Sequence, residues 1–78
     1  MSLDNFIKKF ASEFEETDAN IVKSDTMFKD LEEWSSMIVL GVMGMVNKEY
    51  QVRLKAEDFR NTSTVEELFN LIVERKNV

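Results

Sequence analysis

Apolar residues recur at helical spacing near the start of the chain. Leu3, Phe6, Ile7, Phe10, Ala11 and Phe14 fall on one stripe, and Lys8, Lys9, Ser12, Glu13 and Glu15 lie largely off it. The pattern predicts an amphipathic first helix, capped by Ser2 or Asp4 and ending near Glu16. Residues 17–34, TDANIVKSDTMFKDLEEW, show no sustained period. They offer only isolated apolar anchors at Ile21, Val22, Met27, Phe28 and Leu31. A segment this long predicts an ordered loop packed by its own side chains, with a short helical turn inside it.

From about Ser36 to Tyr50 the chain is apolar almost all round, the signature of a buried central helix, with Ser35 as a natural N-cap. Gly41 and Gly44 interrupt it, each at a cost of about 1 kcal/mol of helix propensity relative to alanine. Two such costs in one helix imply a close approach, by a neighbouring helix or by a partner protein. Val52 and Leu54 then alternate in an extended stretch, and Ala56 to Arg60 can form a single helical turn. The last helix opens TSTVEEL, where Thr64 with Glu67, or Ser63 with Glu66, fits a capping box. Val65, Leu68, Phe69 and Ile72, with Leu71 beside them, supply its buried stripe. Arg75 and Lys76 stand where the helix dipole favours cations. The expected fold is all-α: a small bundle of three main helices, one short helix and a long ordered loop, in one domain over residues 1–78.

Composition narrows the function. The chain has 78 residues with neither cysteine nor histidine. Disulfides and thiolate metal sites are excluded, and the usual general base near neutral pH is missing. Catalysis by the chain itself is therefore not expected. The net charge is −5, from 15 acidic and 10 basic residues. That balance repels phosphate backbones and suits a basic protein partner, so no nucleic acid is expected. The longest uncharged run, Trp34 to Asn47, is shorter than the roughly 20 residues a membrane helix needs. The start, MSLDNFIKKF, shows no signal-peptide pattern, so a cytoplasmic location is expected. Glu32, Glu33, Glu57 and Asp58 do not have the spacing of a calcium loop, and no metal is expected.

The most informative stretch is EEWSSM, residues 32–37, at the head of the apolar helix. Two serines there can simply cap the helix. Alternatively, one of them is where the protein is chemically loaded. A phosphodiester on Ser36, in the first turn, would meet unsatisfied backbone N–H groups and the positive end of the dipole, whereas Ser35 as N-cap has its oxygen turned inward.

Together, the amphipathic first helix, the long loop, the serine opening the second helix in FKDLEEWSSM, the short third helix and the T-S-T-V start of the last resemble the acyl carrier proteins. The resemblance covers nearly the whole chain, and KEYQVRLKAEDFRNTSTVEELFNLI fits the family's spacing without gaps. It implies an acyl-carrier-like bundle that carries acyl intermediates as thioesters on a 4'-phosphopantetheine arm attached to Ser36, in fatty-acid, polyketide or polyene synthesis. The cofactor would supply the sulfur that the chain lacks. The implied partners are a phosphopantetheinyl transferase, which loads the serine from coenzyme A, and a ketosynthase, acyltransferase or adenylating enzyme. The protein itself would be a non-catalytic monomer.

Two departures stand out. Ser35 occupies the position where the family usually has aspartate. The second helix also lacks the family's acidic stripe, and its outward face is expected to be Ile38, Gly41, Met45 and Lys48, with Val39 and Gly44 beside it. The partner-binding residues expected are Ser35, Met37, Ile38, Gly41 and Met45, with Glu57 and Asp58 supplying the electrostatic contact from the short helix. An acyl pocket is expected between the second and third helices, near Leu40, Val46, Leu54, Phe59 and Val65. Trp34 would either flank the arm or anchor the end of the loop. Two other readings remain beside the acyl carrier: an unloaded interaction module with the carrier fold, and a carrier of aminoacyl or peptidyl groups.

Overall fold

In the computed structural model, which describes residues 2–76, the order is α1 (Leu3–Ala11), α2 (Ser36–Tyr50), α3 (Ala56–Arg60) and α4 (Val65–Lys76). Two 3₁₀ turns, Ala19–Ile21 and Phe28–Asp30, lie in the loop between α1 and α2. The architecture is the small all-α bundle that the apolar periodicity predicts. Ser2 caps α1, its hydroxyl accepting the Asn5 N–H at 3.2 Å.

The first helix stops at Ala11, short of Glu16, and the cause lies elsewhere in the chain. The Glu33 carboxylate accepts the backbone N–H groups of Glu15, Glu16 and Thr17, at 2.7, 3.0 and 2.9 Å, and the Thr17 hydroxyl at 2.8 Å. Those donors would otherwise continue the helix. A side chain from the far end of the loop thus folds the chain back, while Phe14 still reaches the core.

The core is aromatic on its α1 side. Phe6, Phe10 and Phe28 are fully buried, and Phe10 lies 5.9 Å from Phe6 and from Phe28 between ring centroids. Trp34 packs 4.9 Å from Phe28, 5.9 Å from Phe59 and 6.3 Å from Phe10. The tryptophan therefore anchors the loop end against the bundle. Within the loop Val22 and Phe28 are buried, whereas Ile21 and Met27, expected as anchors, are about half exposed. The loop's backbone serves another end: the carbonyls of Thr26 and Ser24 accept the N–H groups of Val65 and Glu66 at 3.2 and 2.9 Å. With Thr64 Oγ1 accepting from Glu67 N–H at 3.1 Å, they satisfy the first turn of α4. Glu67 reaches back to the Ser63 N–H, so the expected capping box forms one residue wide.

On the other side of α2 the chain leaves the helix through Gln51, whose φ of 56° turns it sharply. It then runs as an extended strap carrying buried Val52 and Leu54 into α3. Cations of α4 hold this strap. Arg75 pairs in bidentate fashion with Asp58, both contacts at 2.6 Å, and reaches the Arg53 carbonyl at 3.5 Å. The Lys76 ammonium donates to the Tyr50 carbonyl at 3.0 Å. The two cations expected to offset their own helix dipole thus also tether a neighbouring segment.

Candidate functional site

The start of α2 separates the roles of its two serines. Ser35 is extended, with φ −157° and ψ 172°, and its hydroxyl accepts the Ile38 N–H at 3.4 Å. Ser36 is the first helical residue and is exposed. No hydrogen bond among the described residues engages its hydroxyl, and the N–H groups of Ser36 and Met37 likewise have no partner there. An exposed hydroxyl beside unsatisfied helix N–H groups is where an attached phosphate fits: the oxygen is open to modification and the donors can receive the resulting anion. A phosphopantetheine at Ser36 is compatible with these residues.

Carboxylates reach this end of α2 from other elements. Glu13, Glu15 and Glu33 line a cavity of about 330 Å³ together with Ser35, Met37 and Ile38. The backbone donors of Glu15 and its neighbours, with the Thr17 hydroxyl, hold the Glu33 carboxyl below its ordinary range. Glu33 is therefore charged at neutral pH. A second cavity of about 420 Å³, lined by Glu16, Asp18, Asp30, Glu32 and Glu33 among others, continues the acidic surface over the loop. Among the described residues, no group of three or more carboxylates is arranged to hold a metal ion.

The outward face of α2 differs from the expected one. Ile38, Val39 and Met45 are half-buried and pack against the core. Gly41 faces the turn after α1: a Cβ there would lie 2.6 Å from Glu13 Oε1. The glycine lets that carboxylate lie close to the helix, so at Gly41 the close approach is made by a side chain of the same protein. The exposed stripe is instead Met37, Leu40 and Gly44, with Met37 at 79 % and Leu40 at 67 % exposure. The expected face was set about one residue out of phase, because a helix apolar all round gives no polar side from which to orient it. Lys48 is exposed as expected.

Of the five positions expected to line an acyl pocket, Leu40 points to solvent. Val46, Leu54, Phe59 and Val65 are buried as core residues, with the Phe59 ring turned toward Trp34 and Phe28. A cavity does lie between α2 and the strap. It measures about 280 Å³ and is lined by Met43, Gly44, Asn47, Arg53 and Leu54, so only Leu54 is common to both sets.

The short helix is corrected in one respect. Glu57 is exposed and available to a partner, but Asp58 is only 3 % exposed. Its carboxylate accepts from Arg75 and from the Lys55 N–H at 2.7 Å. The Arg75 guanidinium, more than burial opposes it, holds the Asp58 carboxyl below its ordinary value. Sequence alone gave Asp58 the same standing as Glu57, since its partner lies 17 residues away and only the fold brings them together. Ser35, Ser36 and Met37 remain exposed at one helix end, as expected. No family model, curated protein or solved structure matches the chain.

Proposed function

We propose that the protein is a carrier loaded at Ser36 with a 4'-phosphopantetheine arm, bearing acyl intermediates between partner enzymes. The observation that carries this reading is the free, exposed Ser36 hydroxyl at the first turn of α2, beside a neighbour whose own hydroxyl is spent on the cap. The likeness of the whole chain to acyl carrier proteins supports it. The arm would supply a thiol for thioester chemistry.

The chain's own residues bind, orient and present. The N–H groups of Ser36 and Met37 receive the phosphate charge. Met37 and Leu40 offer an apolar contact to the transferase and to a ketosynthase, acyltransferase or adenylating enzyme. Glu13, Glu15 and Glu33 bring negative charge to the position where the family's aspartate would bring it, which accounts for a serine being tolerated there. Such charge steers a basic partner toward the serine. Mass spectrometry after incubation with coenzyme A and a broad-specificity phosphopantetheinyl transferase tests the proposal, with Ser36→Ala and Ser35→Ala beside the wild type.

The unloaded interaction module is the second reading. It is favoured by the exposed Met37 and Leu40, which would serve docking equally well without an arm.

A further inference from the structure

Met37 and Leu40 are the two most exposed large apolar side chains among the described residues, and both lie on one face of α2. Exposed positions follow one another along that face: Met37, Leu40, Gly44 and Lys48, at spacings of three, four and four residues. The face has a shape. Two large side chains fill its first half. Gly44 leaves a hollow in its second half, since a Cβ there would meet nothing within 4 Å. Unlike Gly41, this glycine is not called for by any packing inside the chain.

The face also has a polarity. At its start, Met37 shares a cavity with Glu13, Glu15 and Glu33, none of which makes an ion pair among the described residues. At its end, Lys48 is exposed and likewise has no ion pair there. The flank on the α1 side repeats this order, because α1 runs in the opposite direction to α2. Glu13 lies against Gly41, whereas Lys9 pairs with Glu49 at 3.4 Å near the end of α2.

A surface that is bulky and acidic at one end, hollow and basic at the other, is complementary to itself turned end over end. We propose that this face of α2 binds a second copy of the chain, with the two α2 helices antiparallel about a two-fold axis near residue 42. Leu40 of each copy then sits over Gly44 of the other, and the glycine lets the two helices approach closely. The same register sets Met37 opposite Asn47. It also brings Lys48 to the end where Glu13, Glu15 and Glu33 gather, so the pairing of opposite charges occurs twice. A parallel arrangement would set acid against acid and leave Gly44 facing Gly44. The proposal departs from the monomer that the resemblance implies, and it does not rest on the loading of Ser36. An enzyme docking on Met37 and Leu40 has to displace the second copy, so pairing and docking exclude each other.

Sedimentation equilibrium of the full chain tests this, with Leu40→Asn, Lys48→Glu and Glu15→Lys beside the wild type. All three positions are exposed, so the variants should keep the wild-type circular dichroism. The weight-average mass of the wild type should rise with concentration from one chain toward two. Leu40→Asn should abolish that rise. Lys48→Glu sets acid against acid at both ends of the pair, and Glu15→Lys sets base against base. Each should weaken association about tenfold or more. An equimolar mixture of these two charge variants should associate again, because each supplies the charge that the other has lost. A wild-type mass of one chain up to about 1 mM would overturn the proposal and leave the face to a partner enzyme. Association that survives Leu40→Asn, or a mixture of the charge variants that stays monomeric, would overturn it as well.

Discussion

The two sides of α2 are held by different physics. Toward α1 lies a packed aromatic cluster of Phe6, Phe10, Phe14, Phe28 and Trp34, closed off by Glu33 fastening the turn after α1. Toward the strap the buried side chains are aliphatic apart from Phe59, and the segment is tied by the Asp58–Arg75 pair and Lys76. The first side fixes the bundle through nondirectional burial of large rings. The second depends on a few directional polar ties.

The largest expected effect tests the aromatic side. Phe10→Ala, which removes a fully buried ring packed against four other aromatics, should cost about 4 kcal/mol in denaturant unfolding. Breaking the strap should cost less. Arg75→Gln leaves the Asp58 carboxylate buried and unpaired, yet the Arg75 side chain is 37 % exposed, so a loss of about 2 kcal/mol is expected rather than the larger value of a wholly buried pair. Hydrogen exchange should then quicken over residues 51–62 more than in α1. A uniform increase would erase the contrast between the two sides.

Acid offers a second view of the strap. Asp58 has a lowered carboxyl pKa in the folded state, so the unfolded chain takes up its proton first as pH falls. The stability from this group is fully present above the ordinary aspartate value of 3.8 and is lost as pH falls through the lower folded value. Asp58→Asn should flatten the decline of stability below about pH 4 in acid unfolding curves. Glu33, lowered in the same direction, should leave a residual decline.

The two glycines give smaller effects of unequal size. Gly44→Ala should stabilise by about 1 kcal/mol, the full propensity gain, because the new methyl meets open space. Gly41→Ala should gain less, because its methyl must displace the Glu13 carboxylate. Equal melting temperatures for the two would contradict the different surroundings assigned to them. At the small end, Ser35→Ala should cost roughly 0.5–1 kcal/mol through the lost cap, and Ser36→Ala less than about 0.5 kcal/mol, both read from urea midpoints.

What could be read from the sequence followed the strength of local signals. Helix α1 began where its cap and stripe indicated, α2 and α3 had the expected bounds, and Ser35 took the N-cap. What could not be read was set by partners distant in sequence. The early end of α1 depends on Glu33, and the burial of Asp58 depends on Arg75. The orientation of α2 was the chief loss at the candidate site. A helix apolar on every side carries almost no moment, so only the fold decides that Leu40 faces solvent and Ile38 and Met45 face the core. The two glycines were legible only as a shared propensity cost, because the neighbour that separates them, Glu13 beside Gly41, comes from another segment of the chain.

The most direct test of the central claim is the intact mass of the wild-type protein and of Ser36→Ala and Ser35→Ala, after exposure to coenzyme A and a phosphopantetheinyl transferase. The account predicts a gain of one phosphopantetheine in the wild type and in Ser35→Ala, and none in Ser36→Ala. A gain that survives Ser36→Ala, or its absence from the wild type under conditions that load a known carrier, would contradict it.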